Sequence, residues 1–254
     1  MEFNAIYVIV AREFKKFIRE RSRLFSAIAR PLLWLFIVGA GMSRLVPRET
    51  GVPYTQFIFP GIIGMTILFS SMFSSISIIW DKEFGFMKEI LVAPVSRLSI
   101  VVGKALSGTI VSTIQAVIIL AFFPIIGFKL GLLQIISIVV ICASVSFCIS
   151  SFGIVLATFY ESYESFSVIM NFIIMPMFFL SGAMYPVKSL PAVLKIAAKL
   201  NPLTYGIDAI KHAIFPLEAG HMGPDFSITT SASVIILTSV VFVFIAAKAF
   251  ERKG

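Results

Sequence analysis

An all-α, polytopic integral membrane fold with six transmembrane helices is what this sequence predicts, on three observations. Hydrophobic residues fill 58% of 254 positions and charged residues only 13%, about half the roughly 25% of soluble domains. Six long apolar runs carry no charged side chain in their middle. Each run is apolar on every side, as a lipid-crossing helix must be, whereas barrel strands alternate in stretches of about ten residues. With about 20 residues needed to cross roughly 30 Å of hydrocarbon, the spans fall near 25–43, 57–79, 102–126, 132–159, 166–186 and 228–247. The whole of 1–254 reads as a single transmembrane domain.

The first element, 1–24, is predicted to be an amphipathic helix lying in the membrane interface. Phe3, Tyr7, Val10, Phe14 and Phe17 repeat at steps of four and three, and Arg12, Lys15, Lys16, Arg19 and Arg23 fall largely elsewhere on the wheel. The plainer alternative is a basic flank that only sets topology. About 25 mixed residues precede the first apolar run, so no cleaved signal peptide is expected. Arg30, just inside the first span, can snorkel to the head groups. With Arg30, fourteen of the 21 Lys and Arg residues fall on the side of the N-terminal segment, the second-to-third loop and the C-terminal tail. The positive-inside rule therefore places both termini in the cytoplasm. The net charge of +8 then reads as topology and attraction to anionic lipid, not as nucleic-acid binding.

Inside the spans the polar groups are hydroxyls and small residues. Ser70, Ser74 and Ser77 share one helical face of the second span, suited either to helix packing or to lining a path. Asn171 is the side-chain amide of the fifth span, and Pro176 is expected to bend that helix. No ionisable residue sits at mid-span, which speaks against proton or ion coupling, and no catalytic pair or metal motif appears at depth. Cys142 and Cys148 are six residues, or about 9 Å, apart along one helix, too far for a disulfide, and read as packing residues. His212 and His221 lack a second pair of ligands, so no metal site is expected.

The most specific segment is the cytoplasmic cassette within 80–97. Asp81, Lys82 and Glu83 end the second span and Gly85 frees the backbone. Phe86, Ile90 and Leu91 then share a face, with Lys88 and Glu89 on another, and Pro94 stops the helix. Apolar residues rimmed by charge suggest a docking surface. On the far side, Pro186, Pro191, Pro202 and Pro216 cut 187–227 into two short helices near 190–200 and 203–215, predicted to tuck back into the outer leaflet. Tyr185 and Tyr205 are expected there as head-group anchors.

At these residues the chain resembles the type-two ABC export permeases. Their cassette pattern is met by Glu83, Gly85, Glu89, Ile90 and Leu91, Pro94, Ser96 and Arg97, then Gly103 and Lys104. A second pattern is met by Leu180, Ser181, Gly182, Pro186 and Pro191, followed by Asn201, Pro202, Leu203, Thr204, Tyr205 and Asp208. Phe86 departs from a common Thr, and Lys211 from a common Arg. The resemblance implies a coupling helix seated on a separate ATP-hydrolysing subunit, with Asp81, Glu83, Gly85, Phe86, Glu89, Pro94 and Arg97 forming the contact. It implies a seam of the first, second and fifth spans, where Ser70, Ser74, Ser77 and Asn171 line the route. It also implies an outer gate of Ser181, Gly182, Pro186, Pro191, Asn201, Pro202 and Tyr205. ATP and Mg belong to the partner, with two ATPase copies and two permease copies in the working unit, in a prokaryotic plasma membrane. The echo of a phosphate loop at Gly103 and Lys104 lacks its Ser or Thr, so the chain itself hydrolyses nothing. Expected cargo is an amphipathic, drug-like or lipid-like compound moving outward. Polysaccharide or glycolipid export remains an alternative, as do an ion-coupled carrier or channel and a non-transporting scaffold.

Overall fold

The computed structural model describes the backbone of residues 2–43, 53–92, 94–215 and 223–253. His221, Arg44, Arg48 and Pro216 lie outside the described residues, as do the side chains of Arg21, Arg23, Lys88, Ile90 and Leu91. Among the described residues every regular element is helical, in the order α1 (Phe3–Arg19), α2 (Arg21–Met42), α3 (Tyr54–Ser74), α4 (Ile76–Glu83), α5 (Phe86–Val92), α6 (Arg97–Leu120), α7 (Phe123–Ile126), α8 (Leu132–Phe159), α9 (Tyr163–Phe179), α10 (Ala192–Leu200), α11 (Pro202–Ile214) and α12 (Ile228–Lys253). Among the described residues, four helical stretches are long and apolar enough to cross a membrane: Tyr54–Glu83, Arg97–Leu120, Leu132–Phe159 and Ile228–Glu251. The apolar helices Ile28–Met42 and Tyr163–Phe179 are shorter.

The centre of the bundle is α3, which packs against α2, α6, α8, α9 and α11. It is buried almost throughout because its neighbours approach at glycines. A Cβ on Gly61 would fall 2.6 Å from the Ala183 carbonyl oxygen, and one on Gly64 would fall 2.5 Å from Ile207 Cγ1. Gly153 of α8 likewise accommodates Ser75. Small residues at crossing points let backbones approach and gain dispersion contacts, which is how helices associate without water to drive them together. The serines serve the same packing, with Ser71 and Ser112 hydroxyls 2.8 Å apart between α3 and α6. Cys142 and Cys148 are buried free thiols, as their helical spacing requires.

Several boundaries differ from the sequence expectation. The second span is α3 and α4 broken at Ser75, together 30 residues, or about 45 Å at 1.5 Å per residue. The third begins at Arg97 and ends at Leu120 instead of running from 102 to 126. Pro124 has no N–H and crowds the carbonyl four residues back, at Leu120, so α7 starts afresh. The fifth stops at Phe179 instead of 186, because Gly182 takes a left-handed φ of 74° and the chain turns back. At 17 residues, α9 is about 25 Å long, short of the hydrocarbon thickness. The sixth run continues as helix to Lys253, past the expected 247.

Helix α1 does not lie free of the bundle; it packs along α6. Its start is fixed by the Glu2 N–H donating to Ser99 Oγ at 3.0 Å. A Cβ on Gly103 would meet Ile9 at 3.2 Å, so this glycine sets the approach of α1 to α6. Of the expected lipid-facing stripe, Phe3 and Tyr7 are exposed while Phe17 is buried.

Candidate functional site

The cassette stands on a buried ion cluster that joins three helices. Lys104 of α6 contacts Asp81 of α4 at 2.5 Å and Glu13 of α1 at 2.7 Å. Arg12 of α1 donates to both carboxylate oxygens of Asp81, at 2.9 and 3.0 Å, and to Glu13 at 3.1 Å. Lys104 also donates to Ser77 Oγ at 3.1 Å. Two cations thus meet two anions. The charges balance, and each buried group has a partner, which is the condition for burying them at all. Burial would raise the Glu13 carboxyl, but Lys104 and Arg12 outweigh it and hold the group below its ordinary value of 4.5. Burial likewise works against the charge of Arg12, and Asp81 and Glu13 overcome it, so its value rises.

The next residue faces another way. Lys82 Nζ donates to the carbonyl oxygens of Ala157 at 2.7 Å, Thr158 at 3.1 Å and Tyr160 at 2.9 Å, at the C-terminal end of α8. Those carbonyls have no partner within the helix, and a cation there also meets the negative end of the helix dipole. Adjacent residues therefore tie the end of the second span to α1 and α6 on one side and α8 on the other.

Beyond this root the cassette is open. Glu83 and Glu89 are exposed, as are Phe84 (72%), Phe86 (51%) and Val92 (87%). Gly85 adopts φ of 80°, the left-handed turn that redirects α4 into α5. Pro94 is exposed past the end of α5, and Arg97 is the first residue of α6. Asp81 stands apart from the other cassette residues named by the sequence. Its side chain is buried in the cluster, so it roots the cassette and is not part of its open surface. Lys104 is enclosed by carboxylates inside α6, and Gly103 by Ile9, so the faint phosphate-loop reading has no loop behind it.

A cleft of about 280 Å³ lies between α2, α3, α4, α6 and α9, with Arg30, Phe69, Ser70, Phe73, Trp80 and Gln115 among its lining residues. The three serines of the expected route do not share it. Ser70 lines it, but Ser77 binds Lys104 and Ser74 lies near Gly108, so both of these face α6. Asn171 is also outside it, exposed, its amide donating to Ser167 O of its own helix at 3.1 Å.

The outer residues do converge. The Gly182 carbonyl accepts from buried Lys211 Nζ at 2.9 Å, and that ammonium lies 4.7 Å from the Phe57 ring centre. Ser181 Oγ bonds Phe178 O at 2.5 Å. Pro186 and Pro191 flank a 3-10 turn at Val187–Ser189 and the start of α10. Asn201 accepts from Leu203 N at 3.1 Å to cap α11, donates to Met177 O at 2.7 Å, and precedes Pro202 at the first helical position. Tyr205 differs from its expected anchoring role: it is buried, its ring 5.0 Å from that of Phe226 and its hydroxyl donating to Lys199 O at 2.9 Å. Asp208, quoted in the sequence pattern without a role, accepts from Asp225 N at 2.6 Å, Phe226 N at 3.2 Å and Ser231 Oγ at 2.8 Å. Asp225, which no sequence signal singled out, accepts from Val187 N and Lys188 N, each at 3.1 Å. Among the described residues no group of His, Cys, Asp and Glu could hold a metal ion.

Known proteins resemble this chain along most of its length. The pattern of the family described as ABC-2 type transporter matches residues 4–215. A relative named transport permease ycf38, from Cyanophora paradoxa, is 32% identical over 257 residues, covering 97% of this chain and 88% of its own. Nodulation protein J of Rhizobium leguminosarum bv. trifolii is 28% identical over 236 residues, 91% of this chain and 86% of its own. The protein of that name from Neorhizobium galegae is 24% identical over 233 residues, 88% of this chain and 84% of its own.

Proposed function

The chain belongs to the ABC-2 type transporter family of multi-pass membrane permeases, and from that membership we propose that it is the membrane subunit of an ATP-driven exporter. The observation that carries the reading is the cassette: an exposed apolar and acidic surface on a root clamped to α1, α6 and α8. A partner docked on Phe86, Glu83 and Glu89 would move the ends of three helices together. ATP and Mg belong to that partner, present in two copies beside two copies of this chain. In this reading α2 and α9 complete six spans, α9 with the help of the turn at Gly182 and the helices α10 and α11. Burial of α11 against α3, α8 and α12 supports a re-entrant outer element. Exposed Leu33, Phe36 and Ile37 on α2, and Val168 and Phe172 on α9, give an apolar face for the second permease copy. The basic N-terminal segment and cassette lie in the cytoplasm of a prokaryotic cell, and Phe3 and Tyr7 rest on the inner leaflet.

The cargo is an amphipathic, drug-like or lipid-like compound moved outward. Unpaired Gln115 Oε1 and Ser70 Oγ in the cleft favour a glycolipid as a second reading, since sugar hydroxyls would satisfy them. The test is co-expression with an ABC ATPase subunit, co-purification, and ATP hydrolysis in lipid nanodiscs, comparing the parent chain with Glu89→Lys. A stable complex whose stimulated hydrolysis is lost in the variant is expected. Failure to bind any ATPase, or unchanged hydrolysis in Glu89→Lys, would sink the coupling assignment.

A further inference from the structure

The cleft between α2 and α9 holds a cation, an aromatic wall and polar atoms with nothing to bond. Among the described residues Arg30 is its only charged lining residue, and no acidic side chain lines it. The guanidinium is exposed and sits 5.1 Å from the Phe69 ring centre; it has no carboxylate partner among the described residues. A ring face offers a cation only about 0.5–2 kcal/mol. Arg30 is the third residue of the apolar stretch Ile28–Met42, so its backbone enters the edge of the hydrocarbon while its guanidinium reaches toward the head groups. A cation at that edge is met by an anionic partner or a polar cavity. A second ammonium, Lys16 Nζ, lies 4.1 Å from the ring centre of Trp80, another lining residue.

Deeper in, Gln115 Oε1 and Ser70 Oγ are buried without a hydrogen-bond partner, on side chains exposed by only 2% and 7%. Each unmet polar group costs roughly 1–3 kcal/mol. Gln115 Oε1 can only accept, so what satisfies it must donate. Phe69, Phe73 and Trp80 supply the apolar wall. The volume of about 280 Å³ suits a head group with the first part of a chain, the rest lying in lipid.

We propose that this cleft binds an amphiphile whose phosphate or carboxylate seats on Arg30, whose adjoining hydroxyl or amide donors meet Gln115 and Ser70, and whose apolar chain lies on Phe69, Phe73 and Trp80. This names the cargo chemistry of the exporter and rests on that reading for the step from binding to transport. The binding itself does not need an ATPase. The chain has two tryptophans, so Trp34→Phe leaves Trp80 as the sole fluorescent reporter, inside the site. In phosphatidylcholine nanodiscs, brominated phosphatidylglycerol should quench Trp80 saturably, at a mole fraction about tenfold below that needed with brominated phosphatidylcholine. Arg30→Gln should erase the difference, Arg30→Lys should keep part of it, and Gln115→Leu should weaken quenching without abolishing the preference for the anion.

Dodecyl phosphate should displace the brominated lipid, and inorganic phosphate should not. Equal quenching by the two lipids, or an unchanged preference in a folded Arg30→Gln protein, would overturn the proposal. So would displacement by inorganic phosphate as effective as by dodecyl phosphate, which would mark a bare anion site. In the ATPase complex, release of the bound probe on adding ATP identifies the site with cargo, and retention identifies it with a resident lipid, overturning the cargo assignment. Loss of binding leaves the exporter reading intact, and absence of an ATPase complex leaves the binding result intact, so the two failures are distinct.

Discussion

Neutralising Lys104 should do more damage than its single charge suggests, and neutralising Asp81 as well should add little to the loss. Glu13 and Asp81 both touch the Lys104 ammonium, at 2.7 and 2.5 Å, so the two contacting carboxylate oxygens are no more than about 5 Å apart. At an effective dielectric near 20, two unit charges at that separation repel by about 3 kcal/mol. Lys104→Met exposes that repulsion, and breaking a buried pair by removing one partner costs about 3–5 kcal/mol. Arg12 remains but is half exposed, and an exposed ion pair contributes at most about 1 kcal/mol. A loss of about 3 kcal/mol is therefore expected. Asp81→Asn alone leaves a surplus cation and should cost about 2 kcal/mol. The double variant keeps the balanced Arg12–Glu13 pair, so its loss should fall about 2 kcal/mol short of the sum. Unfolding of the purified chains in mixed micelles of increasing denaturing detergent measures all three. Losses that add to within about 0.5 kcal/mol would refute a shared cluster.

Acidification should loosen the same cluster. Because the Glu13 carboxyl is held below its ordinary value of 4.5, its contribution is complete above that value and is lost as pH falls through the lowered one. Unfolding measured from about pH 7 to pH 3 should show a steeper acid loss for the parent than for Glu13→Gln, and equal slopes would exclude the linkage. At the outer turn, Gly182→Ala must hold a side chain at φ 74° with its Cβ 2.8 Å from Val187 Cγ2, a destabilisation of about 1–3 kcal/mol that a thermal melt would register. Gly64→Ala places a methyl 2.5 Å from Ile207 Cγ1 and should cost about 1–3 kcal/mol. Adding Ile207→Ala should recover part of that, and no recovery would mean the contact lies elsewhere.

The helical bundle and the cassette were legible because they depend on local signals: long apolar runs, a glycine turn, and a proline stop. Two boundary errors had local causes too, since Pro124 and Gly182 mark the breaks that hydropathy alone ran through. The ion cluster was not legible, because its bonded pairs are separated by as many as 91 positions and composition says nothing about which charges meet. A hint was present in Lys104, an ammonium two residues inside the expected third span, where a buried partner is required. The serine face failed for a different reason. Helical spacing joined Ser70, Ser74 and Ser77, but spacing does not say which neighbour each meets: Ser74 and Ser77 face α6, and Ser70 lines the cleft. Gln115 went unnoticed because a lone amide in an apolar helix reads as packing until its neighbours are known to leave it unpaired.

The arrangement at Asp81 and Lys82 bears on how a cassette could work at all. Successive helical residues point about 100° apart, so two neighbours can engage different helices without strain. Asp81 engages Arg12 and Lys104; Lys82 engages the last carbonyls of α8. Displacing the cassette by more than a fraction of an ångström must break one of these sets or carry α1, α6 and α8 along. The first costs several kcal/mol in a buried cluster. The second costs little, because the contacts ride unchanged. Stiffness at the root thus favours rigid transmission over local unfolding. The left-handed turn at Gly85, where an added Cβ would meet nothing within 4 Å, leaves the outer part free to adjust to whatever docks on it. A binding surface that adapts at its tip and is rigid at its base is what a push from outside the membrane requires. It also gives α1 a duty beyond resting on lipid, since Arg12 and Glu13 supply half of the charges that hold the base.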